Sequence, residues 1–325
     1  MSRYRRFTWI LILLAGLLGF SCTLATVDTE STGDAYALVY GIAEYDYWND
    51  LTYTVNDARE MADLLAARNF TVVSRFNAEV TKERMLLDIE ALRDRADPDP
   101  SDIILLFFSG HGDGLYRTSP LSGSLVPPEI PSEEYEDQAS IIPNTSAAAD
   151  PQEIFYAEEL LNELKDIPGK KVLIIDICFA GGFVYDSGGD VDGLPTDYGY
   201  TGDPPLLLET WKKYFSSLEE NPFTDIWVIG SAGENELAWE GSSVANGYFS
   251  YNLLVSLGYN HQDDTILPES PADRNGDGLI TLSELYMESF SRFNRSYNES
   301  SSVPASNKYY SHFSGGAYDL ILYRE

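Results

Sequence analysis

Bases are scarce in this chain. Its 325 residues include 21 Lys and Arg against 52 Asp and Glu, a formal net charge of −31. A field of that sign repels phosphate backbones and no basic stripe offsets it, so nucleic acid is not an expected partner, whereas cations and basic peptides are. Cysteine is scarcer still: Cys22 and Cys178 alone exclude a disulfide framework. Histidine occurs only as His111, His261 and His312. No internal repeat is visible. What the chain does have is core material, with 44% hydrophobic and 22% charged residues, which rules out general disorder. The length suits one large α/β domain or two modest ones.

Arg3, Arg5 and Arg6 precede an uncharged run from Phe7 to Phe20, then Ser21 and Cys22. That run is shorter than the ~20 residues that cross a bilayer comfortably. A positive start, a short apolar stretch and a small residue before a cleavage point describe an export signal. Its end resembles a bacterial lipoprotein signal, in which the cysteine, here Cys22, becomes the lipidated N-terminus and anchors the protein to a membrane. Cleavage near Ala25 by an ordinary signal peptidase is the alternative. The expected organisation is a signal over residues 1–21, a tether over 22–34 and one domain over 35–325, placed in the cell envelope or outside the cell.

Within that domain, apolar runs alternate with amphipathic stretches. Ala35–Gly41, Phe70–Phe76, Asp102–Phe108, Lys171–Ile177 and Thr224–Gly230 read as strands. Asn56–Asn69, Thr81–Leu92, Glu153–Leu164 and Tyr248–Leu257 read as helices. Alternation of this kind predicts an α/β fold, a mostly parallel sheet with helices on both faces. Two long segments, 113–150 and 181–222, are rich in Gly, Pro, Ser and acids and break the rhythm. They follow directly on the runs that end near His111 and Cys178. Ligands of open α/β sheets sit outside the carboxyl ends of the strands, so both residues are placed where chemistry belongs. A thiolate nucleophile with an imidazole to protonate a leaving amine is the requirement of a cysteine peptidase.

Ser109-Gly110-His111-Gly112 and Asp176-Ile177-Cys178-Phe179-Ala180-Gly181 resemble the caspase-fold cysteine peptidases. The likeness is nearer to bacterial caspase-like proteins and metacaspases than to animal caspases. The resemblance runs over roughly residues 35–325 and implies a three-layer sandwich around a six-stranded sheet. It implies that Cys178 attacks the scissile carbonyl, that His111 protonates the departing amine, and that the N–H groups of Gly112 and Cys178 hold the oxyanion. It also implies a specificity pocket of Asp57, Ser109 and Asp176. Two carboxylates there would favour Arg or Lys before the cut, through charge-assisted hydrogen bonds. Taken alone, Asp57-Ala58-Arg59-Glu60 also fits a helix capping box. Such relatives are commonly monomeric. A clostripain- or gingipain-like peptidase and a non-catalytic calcium-binding surface protein are the competing readings.

Asp273-Arg274-Asn275-Gly276-Asp277-Gly278-Leu279-Ile280-Thr281-Leu282-Ser283-Glu284 fits a twelve-residue EF-hand-type calcium loop. Asp273, Asn275 and Asp277 supply side-chain oxygens, Leu279 a carbonyl, Thr281 position nine and Glu284 the bidentate carboxylate. Leu282–Phe290 reads as the exiting helix, and no entering helix precedes the loop. A second acidic group, Asp186, Asp190, Asp192, Asp197 and Asp203, lies beyond Cys178. Lys212-Lys213 follows as a candidate self-cleavage point.

Overall fold

The computed structural model describes residues 33–46, 48–95, 99–114, 139–141, 154–178, 180, 225–233, 236–315 and 319–325. The export signal, Cys22, the second acidic group and Lys212-Lys213 lie outside the described residues.

Six strands form the frame: β1 (Ala35–Gly41), β2 (Thr71–Phe76), β3 (Ile103–Ser109), β4 (Lys170–Asp176), β5 (Ile226–Gly230) and β6 (His312–Gly315). Their order is β6-β5-β4-β3-β1-β2. Every neighbouring pair is parallel except β5 with β6, which is antiparallel. Among the described residues the α-helices are α1 (Thr54–Ala67), α2 (Lys82–Arg93), α3 (Ala157–Lys165), α4 (Tyr248–Ser256) and α5 (Leu282–Phe293).

The continuous apolar runs have a direct cause. Successive side chains of a strand point to opposite faces, and a parallel sheet covered on both sides must be apolar on both. In β3, Leu105 and Phe107 face α1, α4 and α5, whereas Leu106 and Phe108 face α2 and α3. Val172 and Ile174 of β4 join the first core, and Leu173 and Ile175 join the second. The result is the expected three-layer α/β sandwich.

Helix signals resolve one by one. Ala58, Met61, Leu64 and Leu65 turn the inner face of α1 into the sheet. The chain leaves α1 through Asn69, whose φ of +66° suits the left-handed tolerance of asparagine. Thr81 caps α2 by accepting the Arg84 N–H at 3.0 Å.

Three expectations need correction. The N-cap of α1 is Tyr53, without a side-chain cap, and Asp57 lies inside the first turn with its carboxylate turned into the protein. Asp57 is therefore not the capping-box residue. The helix expected from Glu153 begins at Ala157, because Phe155–Tyr156 pair with Ser140–Ile141 of a short strand, Ala139–Ile141, that also pairs with Gly112–Gly114. The edge strand β6 was not anticipated; it is held by its ladder to β5 rather than by an apolar run.

Phe107 is fully buried on β3, two residues before Ser109. Phe107→Ala is expected to lower unfolding stability by about 3–5 kcal/mol, measured by urea titration; a loss under about 1 kcal/mol would show that this core is not what holds the sheet.

Candidate active site

The site grows out of one ladder. β3 and β4 pair in parallel register from Ile103↔Lys170 to Ser109↔Asp176. Beyond the last pair, the Gly110 N–H still donates to the Asp176 carbonyl at 3.3 Å. Each chain then runs on past the sheet, one through His111 and Gly112, the other through Ile177 and Cys178. Their backbones stay close: a Cβ built on Gly112 would lie 2.5 Å from the Cys178 carbonyl oxygen and 2.5 Å from Ile177 Cδ1. Only glycine permits that approach. His111 and Cys178, both partly exposed, thus emerge side by side at the carboxyl ends of adjacent strands.

His111 is gripped from the loop between β1 and α1. Its backbone N–H donates to the Tyr45 hydroxyl at 2.7 Å, and its Nε2 lies 2.7 Å from the Asn49 carbonyl oxygen. A carbonyl only accepts, so Nε2 carries a proton and Nδ1 is the nitrogen left for chemistry. The rings of Tyr45 and Trp48 tilt against the imidazole at centroid distances of 4.6 and 5.6 Å. Burial pushes the imidazole below its ordinary titration range; the Asn49 carbonyl and the charge of Glu240 oppose that. The Cys178 thiol faces the Ala238 carbonyl at 3.8 Å. The other two histidines lie elsewhere: His312 is in β6, and His261 faces Glu60 at 3.5 Å.

Asp57, Ser109 and Asp176 come together as expected, but in a closed space. The Ser109 hydroxyl donates to Asp57 Oδ2 at 2.8 Å, and the Gly247 N–H donates to Asp57 Oδ1 at 3.0 Å. Asp176 Oδ2 accepts the Ser250 hydroxyl at 2.6 Å and the Ser250 N–H at 3.2 Å. A Cβ on Gly247 would lie 2.5 Å from Asp176 Oδ2 and 3.2 Å from Asp57 Oδ2, so this glycine covers both acids. Gly247 is the N-cap of α4 and Ser250 lies in its first turn, and a helix N-terminus, with its unpaired N–H groups, favours carboxylates. Burial, and then the charge of Asp176, hold the Asp57 carboxyl well above the usual carboxylate range. Burial also raises Asp176.

The calcium-type loop has the expected turns. Asp273 Oδ1 accepts the N–H groups of Gly276 and Asp277 at 2.8 and 3.2 Å, and Oδ2 that of Gly278 at 3.0 Å. Gly276 and Gly278 take φ of +75° and +74°. Asn275 Oδ1 accepts the Asp277 N–H at 2.8 Å, and Leu279 opens a strand paired with residues 321–324. Glu284 differs from expectation: it closes a capping box with Thr281 at the start of α5. Among the described residues no three His, Cys, Asp or Glu gather closely enough to hold a metal ion. The loop's oxygen donors fit a hard cation, while Glu284 would have to leave its cap to join them.

Sequence reasoning overlooked Tyr45, Asn49, Gly247, Ser250 and Glu240. The one available signal was the dense aromatic stretch Tyr45-Asp46-Tyr47-Trp48 between β1 and α1.

A parallel sheet in this strand order, with a thiol and an imidazole at the ends of its central strands, defines the class: a caspase-type α/β sandwich. The caspase domain family model matches residues 34–269, and the chain belongs to that family of cysteine-type peptidases. Among solved structures it is similar to caspase-1 from Spodoptera frugiperda, at 12% identity and a TM-score of 0.52 over 90% of this chain and 91% of that one. It is also similar to a Geobacter sulfurreducens protein, at 17% identity and a TM-score of 0.49 over 87% and 94% of the two chains. A comparison with curated proteins finds no match. The calcium-type loop falls after the matched segment, although its helix α5 packs in the main core.

Because Asp57 holds its proton above the unfolded-state range, the folded chain binds more protons than the unfolded one as pH rises past ~4. Its contribution to stability is therefore greatest at low pH and declines toward the folded-state titration. Asp57→Asn keeps an oxygen acceptor and removes that titration. Wild-type stability relative to the variant should decline as pH rises above ~4, by about 1.4 kcal/mol for each pH unit in which Asp57 holds a proton that the unfolded chain has lost. Parallel denaturation curves would contradict the raised Asp57.

Proposed function

We propose that the chain is an exported cysteine endopeptidase using Cys178 and His111 and cutting after Arg or Lys. The observation that carries this reading is the β3–β4 register, which brings the two residues to neighbouring backbone positions with Gly112 against Cys178.

In the proposed reaction His111 Nδ1 takes the Cys178 thiol proton, the sulfur attacks the scissile carbonyl carbon, and an electron pair of the C=O bond moves to oxygen. The backbone N–H groups of Gly112 and Cys178 are assigned to that oxyanion. The C–N bond then breaks as His111 Nδ1 gives a proton to the amine, leaving a thioester on Cys178. Water attacks the thioester, His111 takes its proton, and the acid product leaves with the thiol restored. Asn49 keeps the other ring nitrogen protonated throughout.

The basic preference draws support from Asp57, Ser109 and Asp176 gathering beside the nucleophile. Those acids lie beneath Gly247, so a guanidinium reaches them only when the 246–247 turn yields. The strongly acidic composition favours basic protein or peptide substrates in the same sense and disfavours nucleic acid. The N-terminal signal and Cys22 support export with a lipid anchor, and a monomer is the proposed state.

Hydrolysis of matched peptides with Arg, Lys, Asn or Asp before the cut is the test. Arg and Lys peptides should be cleaved at least ~100-fold faster than Asp, with all cleavage lost in Cys178→Ala. Preference for Asp or Asn would remove the basic specificity; equal cleavage by Cys178→Ala would remove the peptidase.

Calcium enters as a stabilising ion held by Asp273, Asn275, Asp277, the Leu279 carbonyl, Thr281 and Glu284. Support comes from the all-oxygen donor set, the two left-handed glycines, and Glu284 itself. Burial, with the Asp277 and Asp319 charges adding, raises the Glu284 carboxyl, a crowding that a cation relieves. Titration calorimetry should show one Ca2+ bound per chain and a Tm rising with concentration, both lost in Asp273→Asn. No heat and no Tm change at millimolar Ca2+ would exclude the site.

A further inference from the structure

One carboxylate near the dyad has a structural role that the sequence motifs do not mark. Glu240 lies between the exposed Trp239 and Gly241, in the short ribbon formed by residues 240–241 and 246–247. Its Oε1 accepts the Thr52 N–H and its Oε2 the Tyr53 N–H, each at 2.8 Å. These amides sit at the entry to α1, where Tyr53 is the N-cap and leaves its orphan donors without a side-chain cap. A carboxylate placed there satisfies them and suits the positive end of the helix dipole. Glu240 therefore caps α1 from a segment nearly two hundred residues away in the chain.

The loop it holds is the one that grips the imidazole. Residues 42–53 are closed on themselves by the Leu51 N–H on the Ala43 carbonyl at 2.7 Å and by the Tyr45 N–H on Asp50 at 3.0 Å. From this loop come the Tyr45 hydroxyl and the Asn49 carbonyl, the two partners of His111. We propose that Glu240 is a positioning residue for His111: its carboxylate fastens the 42–53 loop, and with it both partners of the histidine, to the ribbon beside Cys178.

The same ribbon touches the other half of the dyad. Ala238, two residues before Glu240, supplies the carbonyl that faces the Cys178 thiol. Gly247, which pairs in register with Glu240, covers Asp57 and Asp176. Two charge-assisted bonds from one carboxylate thus tie the 42–53 loop to the ribbon that also meets Cys178 and covers the two acids. Among the described residues no Arg or Lys forms an ion pair with it, so its charge is spent on these amides and on the groups nearby. Among the described residues, the titratable groups near His111 are Tyr45, whose ring packs against it, Cys178, just past the end of the adjacent strand, and Glu240. Asp50 is turned to the Tyr45 amide. The negative charge of Glu240 favours the imidazolium.

The role rests on the proposed Cys178–His111 chemistry only for its consequence in turnover; its test is read on the resting protein. Glu240→Gln keeps one oxygen acceptor, sets an NH2 group against the second amide and removes the charge. By NMR of the full-length chain, His111 is expected to titrate at lower pH than in wild type, and the Thr52 and Tyr53 amides to exchange about three- to tenfold faster. Where peptides are cleaved, kcat should fall with KM little changed. Unchanged His111 titration and unchanged amide exchange would overturn the proposal. Should the variant not fold, the wild-type Thr52 and Tyr53 amide resonances are expected to move together as the Glu240 carboxyl is protonated, and their independence of it would overturn the proposal. Absence of any peptide cleavage, with these NMR changes present, would instead count against the peptidase reading.

Discussion

Everything at this site depends on the parallel ladder between β3 and β4. Two apolar runs far apart in the chain are locked in register by burial on both faces of the sheet. The last pair, Ser109 with Asp176, fixes what each strand presents beyond it. A slip by one residue would turn every side chain of a strand to the opposite face, forcing Phe107 and Phe108 into each other's cores and separating the histidine from the cysteine. The core thus sets the site's geometry as well as the chain's stability, and Gly112 tightens the match by letting one backbone settle against the Cys178 carbonyl.

Acids govern the second layer of organisation, and all three meet helix N-termini. Asp57 and Asp176 accept N–H groups from the start of α4, and Glu240 accepts those at the start of α1. Buried carboxylates are costly unless hydrogen-bonded, and these helix starts supply donors without demanding cations. That explains how so acidic a chain keeps carboxyl groups in its interior with few bases to spare. It also ties the helices of one face to the ends of β3 and β4, so that the buried acids and the grip on the imidazole belong to one network.

Much of the frame was legible because burial on both faces writes a continuous apolar run, as in Ile103–Phe108 and Lys171–Ile175. The placement of His111 and Cys178 was legible for a related reason: polar residues and glycines standing directly after such runs are at strand ends. Asp57 was half legible. Its spacing fitted a capping box, but local spacing says nothing about a helix arriving from residue 248, whose amides draw the carboxylate inward. Glu240 and β6 carry no local signal: one acts through amides at 52 and 53, and the other is a short, mixed segment made a strand by its neighbour. The calcium-type loop showed its turns in its glycines, yet Glu284 chose the helix cap, a competition that a motif cannot rank.

The central claim is that His111 and Cys178 act on one another. The direct measurement is the pH dependence of Cys178 alkylation by iodoacetamide in the full-length protein, followed by mass spectrometry on the Cys178 peptide, for wild type and His111→Ala. A coupled pair is expected to keep Cys178 reactive well below the ordinary thiol range in wild type, with that reactivity moving toward higher pH when the imidazole is removed. Superimposable profiles in the two proteins would contradict the pairing.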